Sequence, residues 1–325
     1  MPTQFDVLAL GEAMVEYNQL PDRPDHYLQG FGGDTSNTVI AASRQGARCG
    51  YLSAVGDDHF GLALLDLWQR EGVACDGVYI APQTPTGIYF VSHDAGGHRF
   101  HYRRSGSAAS KMQSDRLPLE LLANTRWLHV SGISLAISES ACETALAAMR
   151  AARAVGAQVS FDTNLRLALW PLAQARDRMM QALALADLAL PSLDDVTLLF
   201  ETDDPEILVD RIQALGPKLV VLKLGERGCL VAGPDGRRYM PPYPVKAVDA
   251  SGAGDCFAGA LLARLAHGDD PFQAAQYAGV AAALSTTGFG AVAPIPGTED
   301  VRRALDAATH SEILAVTRSS STPSI

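Results

Sequence analysis

Short apolar runs alternate with longer segments of helical periodicity along most of this chain. The runs that predict buried strands cover residues 5–10, 51–55, 127–130 and 219–223, and a further strand is predicted over 158–162. The segments between them repeat apolar residues at helical spacing and stop at glycines such as Gly72 and Gly156, so they predict helices. Such alternation is typical of an α/β fold, and we expect a mostly parallel central sheet that is flanked by helices.

One stretch breaks this alternation. Residues 86–93 and 99–104 are strand-like and flank the turn Asp94-Ala-Gly-Gly97, which predicts a long hairpin. We expect this hairpin to combine with residues 12–17 into a small β-sheet that acts as a lid. The alternative is a hairpin at the edge of the main sheet.

Length and composition suit one large domain. The chain has 325 residues, of which 47% are hydrophobic, and a chain of this size can bury an extended core. We expect a single α/β domain over residues 1–315, with the lid formed by about 12–17 and 86–105. Residues 316–325 are rich in Ser and Thr, and they predict a disordered tail.

Charge and cysteine usage exclude several classes of partner. The net charge is −10 and the sequence contains no basic run, which argues against nucleic-acid binding. The sequence has no secretory signal and no apolar run long enough to span a bilayer, so we expect no membrane association. The five cysteines form no Cys-x-x-Cys pair, which is typical of reduced thiols in a cytoplasmic protein.

The segment Asp249-Ala-Ser-Gly-Ala-Gly-Asp255 carries the strongest chemical signal. Gly252, Ala253 and Gly254 let the backbone approach a ligand closely, and an apolar helical run follows them. The free N–H groups at such a helix start bind phosphate. An acid there would repel a phosphate that was merely bound, so we predict that Asp255 is the base that deprotonates a hydroxyl during phosphoryl transfer. The alternative is an ordinary Asp that caps a helix.

Other nucleotide-binding signatures do not fit the sequence. No lysine follows a glycine, which excludes a Walker P-loop. Residues 288–293 match Gly-x-Gly-x-x-Ala, but Pro294 stands where the following helix should run. We therefore assign no dinucleotide site there, and the role of residues 288–294 stays open.

A second polar segment, Gly30-Phe-Gly-Gly-Asp-Thr-Ser-Asn37, leads into a predicted helix. Gly33 allows a ligand to approach the backbone, and Asp34 and Asn37 offer acceptors and donors that suit sugar hydroxyls. We predict that these residues bind a sugar. The alternative is a helix cap built by Asp34 or Ser36.

The lid and one strand end favour a sugar that carries a carboxylate. Tyr102 and Arg104 lie two apart on a strand and so share one face, and Tyr89 lies on the partner strand. Arg166 follows the strand that ends at Asp162, at the sheet edge where ligands bind. Guanidinium groups can bind a carboxylate bidentately. The alternatives are a solvated hairpin tip for Arg104 and a structural ion pair for Arg166.

Taken together, Gly32-Gly-Asp-Thr-Ser-Asn-Thr38 and the segment from Asp249 to Gly259 resemble the ribokinase-like sugar kinases, also called the PfkB family. The resemblance extends over roughly residues 4–310. It also includes Ala47–Gly61 and Leu222-Lys-Leu-Gly-Glu-Arg-Gly228. The stretches that are most similar to the branch acting on 2-keto-3-deoxygluconate are 30–35, 101–108, 131–137 and 161–170.

This resemblance implies a ribokinase-like fold and a kinase that uses ATP and Mg²⁺. Where the family often carries Asn-x-x-Glu near the metal, this chain has Ser192-Leu-Asp-Asp195, so the metal residues stay unassigned, although Asp195 could act on the metal through water. A requirement for a monovalent cation is also left open. The residues that it places beside the nucleotide are Lys223, Gly225, Arg227, Gly228, Ser251, Gly252 and Gly254.

We therefore expect phosphorylation of the terminal hydroxyl of 2-keto-3-deoxygluconate, a sugar acid. A kinase for a neutral sugar such as fructose or ribose, or for a nucleoside, is one alternative. A non-catalytic sugar-binding regulator is another, although a binder has no need of a base. The exposed edges of the lid sheet predict a homo-oligomer that forms through the lid.

Overall fold

The computed structural model describes residues 3–20, 22–94 and 97–307. The predicted tail, 316–325, and the predicted end of the domain at 315 lie outside these ranges. The strands are β1 (Phe5–Leu10), β2 (Met14–Leu20), β3 (Arg23–Gly32), β4 (Cys49–Gly56), β5 (Val73–Ala81), β6 (Ile88–Asp94), β7 (Gly97–Arg103), β8 (Thr125–Ser131), β9 (Gln158–Asp162), β10 (Leu188–Ala189), β11 (Leu219–Lys223), β12 (Cys229–Gly233) and β13 (Gly236–Met240).

Helices follow most strands of the main sheet. They are α1 (Asp34–Arg44), α2 (His59–Arg70), α3 (Leu119–Ala123), α4 (Gly132–Ala136), α5 (Glu139–Ala154), α6 (Leu172–Leu185), α7 (Leu193–Phe200), α8 (Pro205–Leu215), α9 (Ala253–His267) and α10 (Pro271–Ser285). Residues 298–307 are also helical. None of the helices in the described ranges combines the length and apolar content that a bilayer crossing requires.

The main sheet has the order β13-β12-β11-β10-β9-β8-β1-β4-β5. Its neighbours pair in parallel from β5 to β11, and β12 and β13 add an antiparallel edge. Strands β1 and β4 are buried along their whole length because helices cover both faces of the sheet. The predicted mostly parallel α/β fold is confirmed, and the carboxyl ends of the parallel strands gather at one edge.

Two hydrophobic cores lie on opposite faces of this sheet. One contains the buried sides of α1, α2, α9 and α10. The other contains those of α5, α6, α7 and α8. Helix α9 also packs closely against α1: Gly259 lies so near the Thr38 carbonyl oxygen that a Cβ there would be 2.2 Å from it. This contact brings the two motif segments of the sequence together.

The hairpin β6–β7 belongs to a separate four-stranded sheet of order β3-β2-β6-β7. The prediction of a small separate sheet is therefore confirmed over the alternative of an edge hairpin, and its role as a lid stays a prediction; we keep the name lid for this sheet. The sequence pattern missed β3, because most of this strand is exposed and shows no alternation of buried and exposed positions. It also missed the edge strand β5 and helix α8, which begins with Asp204 as its cap.

Candidate active site

The anion-binding loop lies at the start of α9. Gly252 caps this helix with φ +72°, and a Cβ there would lie 3.0 Å from Ala291, so glycine is required by both conformation and space. The N–H groups of Gly252 and Gly254 donate to no residue within the described part of the chain. The Ala253 N–H, which the sequence had placed with them, donates to the Ala250 carbonyl at 3.2 Å.

Residues 288–294 pack against this loop and form hydrogen bonds with the segment that precedes it. The Asp249 carboxylate accepts hydrogen bonds from the Ser251 N–H and the Gly290 N–H, each at 2.9 Å. The Arg44 guanidinium donates to the Val292 carbonyl at 3.1 Å. The Gly-x-Gly-x-x-Ala match therefore forms a turn that anchors the loop, and the next helical residues begin only at position 298.

Asp255 lies in the first turn of α9, and its Oδ2 accepts a hydrogen bond from Asn37 Nδ2 at 2.8 Å. Removal from water raises the pKa of Asp255 well above its usual range, and the nearby Asp34 and Asp162 raise it further. The Asn37 hydrogen bond and Lys223 act in the opposite direction. A carboxyl whose pKa is raised towards neutrality is a better proton acceptor than an ordinary surface Asp.

The predicted sugar segment faces Asp255. Gly33 has φ +123°, and a Cβ there would lie 2.5 Å from the Glu12 carbonyl oxygen, so only glycine fits between the lid and α1. Asp34 Oδ2 accepts a hydrogen bond from Asn164 Nδ2 at 2.8 Å, and burial raises the pKa of this carboxyl. Asn37 Oδ1 is buried and has no hydrogen-bond partner among the described residues. A buried acceptor without a partner lowers stability, and such groups are often found where a ligand binds.

Lys223 adds positive charge next to the loop. Its Nζ lies 2.5 Å from Asp162 Oδ2 and would lie 3.5 Å from a Cβ at Gly254. The carboxyl ends of β9 and β11 hold the two side chains in place. Lys223 is thus both an ion-pair partner and a cation beside the free amides.

The lid contributes a buried polar contact and an aromatic wall. Tyr89 Oη donates to Glu16 Oε2 at 2.5 Å. A Cβ at Gly32 would lie 2.2 Å from the Tyr89 Oη. The Tyr89 and Tyr102 rings lie 5.5 Å apart between centroids. Burial raises the pKa of Tyr89, and the charge of Asp255 contributes to this rise, so the lid faces the same site as α9.

Arg104 is held by Glu12, which the sequence did not single out. Its Nε donates to Glu12 Oε2 at 2.7 Å, and the side chains are 11% and 1% exposed. Ser107 Oγ donates to the other Glu12 oxygen at 2.5 Å. Arg104 is therefore not the solvated hairpin tip of the alternative interpretation, and its charge is already matched by a carboxylate.

Arg166 differs from Arg104 in this respect. It is exposed, its Nη1 donates to the Leu165 carbonyl at 2.9 Å, and it forms no ion pair with a residue that the structure describes. Its charge lowers the pKa of Tyr102, as does that of Arg104, against a larger rise due to burial. Arg166 thus presents an unmatched positive charge near the lid.

Asp195 lies in the first turn of α7 and is half-buried. Its Oδ2 accepts hydrogen bonds from Thr163 Oγ1 at 3.0 Å and from the Leu165 N–H at 3.1 Å, and burial raises its pKa. In the described ranges no group of three or more His, Cys, Asp or Glu side chains could hold a metal ion by itself.

The remaining nucleotide-side candidates lie after β11 and in the segment before α9. Gly225 and Arg227 lie in a short 3₁₀ turn after β11, and Gly228 follows with φ +86°. Ser251 is exposed, and its N–H donates to Asp249. The side chains of Arg227 and Ser251 form no hydrogen bond with the described residues.

Several residues of the site escaped the sequence analysis. Glu12 and Glu16 are isolated acids beside apolar strands, and Asn164 follows Asp162 in Asp-Thr-Asn. An acid at the end of a fully apolar run is a usable signal for Glu12, because such a residue must be paired when it is buried. The partner of each acid is distant in the chain and could not be read from the pattern.

Comparison with known proteins places this geometry in a family. The family model described as pfkB family carbohydrate kinase matches residues 4–298. A 2-dehydro-3-deoxygluconokinase from Thermoproteus tenax is 35% identical over 86% of this chain and 88% of its own length. A fructokinase from Klebsiella pneumoniae is 34% identical over 92% of this chain and 99% of its own.

Among solved structures, an E. coli protein described as a ribokinase II in complex with ATP and Mg²⁺ is similar to this chain with a TM-score of 0.86. It is 28% identical and covers 94% of this chain and 100% of its own. The ribokinase-like fold predicted from the sequence is therefore confirmed. The chain belongs to the pfkB family of carbohydrate kinases.

Proposed function

We propose that this carbohydrate kinase transfers phosphate from ATP to the terminal hydroxyl of 2-keto-3-deoxygluconate and releases the 6-phosphate and ADP. The observation that carries the choice of a sugar acid is Arg166, an exposed cation without a carboxylate partner in the described ranges. The Thermoproteus tenax relative supports it. A neutral sugar would leave the charge of Arg166 unused.

In the proposed reaction Asp255 accepts the proton of the sugar hydroxyl as the oxygen attacks the terminal phosphorus and the bond to ADP breaks. The N–H groups of Gly252 and Gly254, with Lys223 beside them, stabilise the charge on the moving phosphoryl group. Asp195 would hold Mg²⁺ through water, and the bound ion would supply positive charge against the phosphates. Arg227, Gly228 and Ser251 flank the nucleotide.

The sugar lies between α1 and the lid in this proposal. Gly33, Asp34 and Asn37 bind its hydroxyls, and Tyr89 and Tyr102 enclose it. Arg166 pairs with its carboxylate, and the outer N–H groups of Arg104, which Glu12 does not use, orient the same end. The lid excludes water, which otherwise competes as an acceptor, and its exposed strands would join a second copy of the chain.

Comparison of several phosphate acceptors tests the proposed substrate assignment. ADP release would be measured with 2-keto-3-deoxygluconate, its galactonate-derived epimer, fructose, ribose and a nucleoside, each with K⁺ or Na⁺ as the monovalent cation. Fastest turnover with fructose would replace the proposal by the fructokinase alternative, which the Klebsiella pneumoniae relative supports. Absence of ADP with every acceptor would favour the non-catalytic regulator.

Arg166→Ala should raise the KM for the sugar acid by about tenfold to a hundredfold, because one charge-assisted hydrogen bond is lost. The KM for a poor neutral substrate such as fructose should change little. Steady-state kinetics with both acceptors checks this. Equal increases for both acceptors would contradict a carboxylate-binding role.

Lys223→Met should move the acidic limb of the kcat/KM pH profile to higher pH. The ammonium lowers the pKa of Asp255, and its removal also leaves the Asp162 carboxylate unpaired, which raises that pKa further. A base with a higher pKa becomes active only at higher pH. Lys223→Arg keeps the charge and serves as the control, and an unmoved limb in Lys223→Met would contradict the coupling.

A further inference from the structure

A cavity of about 340 Å³ lies outside the site described above, at the β5 edge of the main sheet. The ends of β4 and β5 form its floor, α5 contributes Thr144, and the segment 108–118 covers it. We call it the edge cavity. Its volume is in the range of small-molecule sites, and neither Asp255 nor any other candidate of the kinase site lines it.

The charged residues that line the edge cavity are both cations. Lys111 and Arg116 come from the covering segment, and no Asp or Glu is among the lining residues, although the chain has a net charge of −10. Neither cation forms an ion pair within the described ranges. The Arg116 guanidinium lies 4.8 Å from the centroid of the Tyr79 ring, which also lines the cavity.

The rest of the lining is suited to an apolar body. Leu52 and Leu117 contribute aliphatic surface, and the exposed Tyr79 ring offers a flat face. Thr84 and Gln113 supply the polar groups that usually fix the orientation of a ligand. The ordinary explanation of Lys111 and Arg116 is a pair of solvated surface cations, but this does not explain why both border one cavity without acids.

We propose that the edge cavity binds a small organic anion, a phosphate or carboxylate carried on a flat apolar body. Lys111 and Arg116 pair with the anionic group, and the apolar body packs against Leu52, Leu117 and the Tyr79 ring. A guanidinium that lies between an aromatic ring and an anion can make a cation–π contact with the ring and hydrogen bonds to the anion at the same time.

The same segment connects the edge cavity to the lid. Ser107 precedes the 3₁₀ turn Ala109–Lys111 and holds Glu12, the partner of Arg104. The Ala108 N–H donates to the Pro85 carbonyl at 2.9 Å, just before β6. A ligand in the edge cavity would restrain the covering segment, and with it Ser107 and the start of β6. The KM for the sugar should therefore change. This second effect rests on the proposed function, whereas binding to the cavity does not.

Phenyl phosphate is the probe that tests this site. Its binding would be measured by calorimetry on the full chain, once alone and once with ADP, Mg²⁺ and the sugar acid at saturation to block the kinase site, because ADP could also enter the edge cavity. Inorganic phosphate carries the charge without the body, and benzyl alcohol carries a similar body without the charge. We expect saturable binding of phenyl phosphate and weaker binding of both others.

The double variant Lys111→Gln with Arg116→Gln should bind phenyl phosphate about tenfold more weakly or worse. Lys218→Gln with Arg302→Gln changes the net charge equally at exposed positions outside the cavity and should bind like the unmodified chain. All these positions are exposed, so both variants should fold. Equal losses in the two variants, no loss in the first, inorganic phosphate binding as tightly as the probe, or no probe binding would each overturn the proposal.

Discussion

Asp255→Asn should lower kcat by on the order of 10²-fold or more while ATP binding is retained. The amide keeps the shape of the side chain and can still accept the hydrogen bond from Asn37, which is 2.8 Å long in the structure. It cannot take a proton from the sugar hydroxyl. Single-turnover ADP formation and ATP binding, measured on the same preparation, separate the lost chemistry from lost affinity.

The stability of the same variant distinguishes a base from a helix cap. The raised pKa of Asp255 means that the folded state holds this proton at pH values where the unfolded chain has lost it. Folding stability therefore falls as pH rises through the folded pKa, and at higher pH the charged carboxylate is a cost. Asp255→Asn removes that cost, so its Tm at neutral pH should equal or exceed that of the unmodified chain. A lower Tm with near-normal turnover would show that Asp255 stabilises the first turn of α9 and does not act as the base.

Glu12→Gln should lower the free energy of unfolding by about 3–5 kcal/mol, because it leaves the Arg104 charge buried without a carboxylate. The Glu12 side chain is 1% exposed and accepts hydrogen bonds from both Arg104 and Ser107. Chemical denaturation measures the loss. The KM for the sugar should rise as well, because Arg104 belongs to the lid face that encloses the proposed substrate.

A surface ion pair provides the matched control. Asp66 and Arg70 lie 3.1 Å apart on α2, and both side chains are more than 60% exposed, at 66% and 63%. Asp66→Asn should change the free energy of unfolding by less than about 1 kcal/mol. If Asp66→Asn and Glu12→Gln lowered the free energy of unfolding by similar amounts, burial would not make the Glu12–Arg104 pair more important for stability than a surface pair.

Local pattern was sufficient for much of the fold and for part of the site. The strand predicted over 51–55 agrees with β4, because a strand that is buried on both faces of a parallel sheet is mostly apolar along its length. The exposed strand β3 was missed because its residues have no buried face to mark it. The hairpin could be predicted because the sequence Asp94-Ala-Gly-Gly97 stands between the two strand-like runs, and adjacent glycines are a local turn signal.

The sequence by itself determined the α/β class, the helix-start loop before Asp255 and the sugar-kinase chemistry, because each rests on neighbouring residues. Only the tertiary structure decided which side chains meet: Asn37 with Asp255, Asp162 with Lys223, and Glu12 with Arg104. These partners are separated by 218, 61 and 92 positions. Packing of helices and lid against the sheet brings them together, and their pKa values and charges follow from that packing.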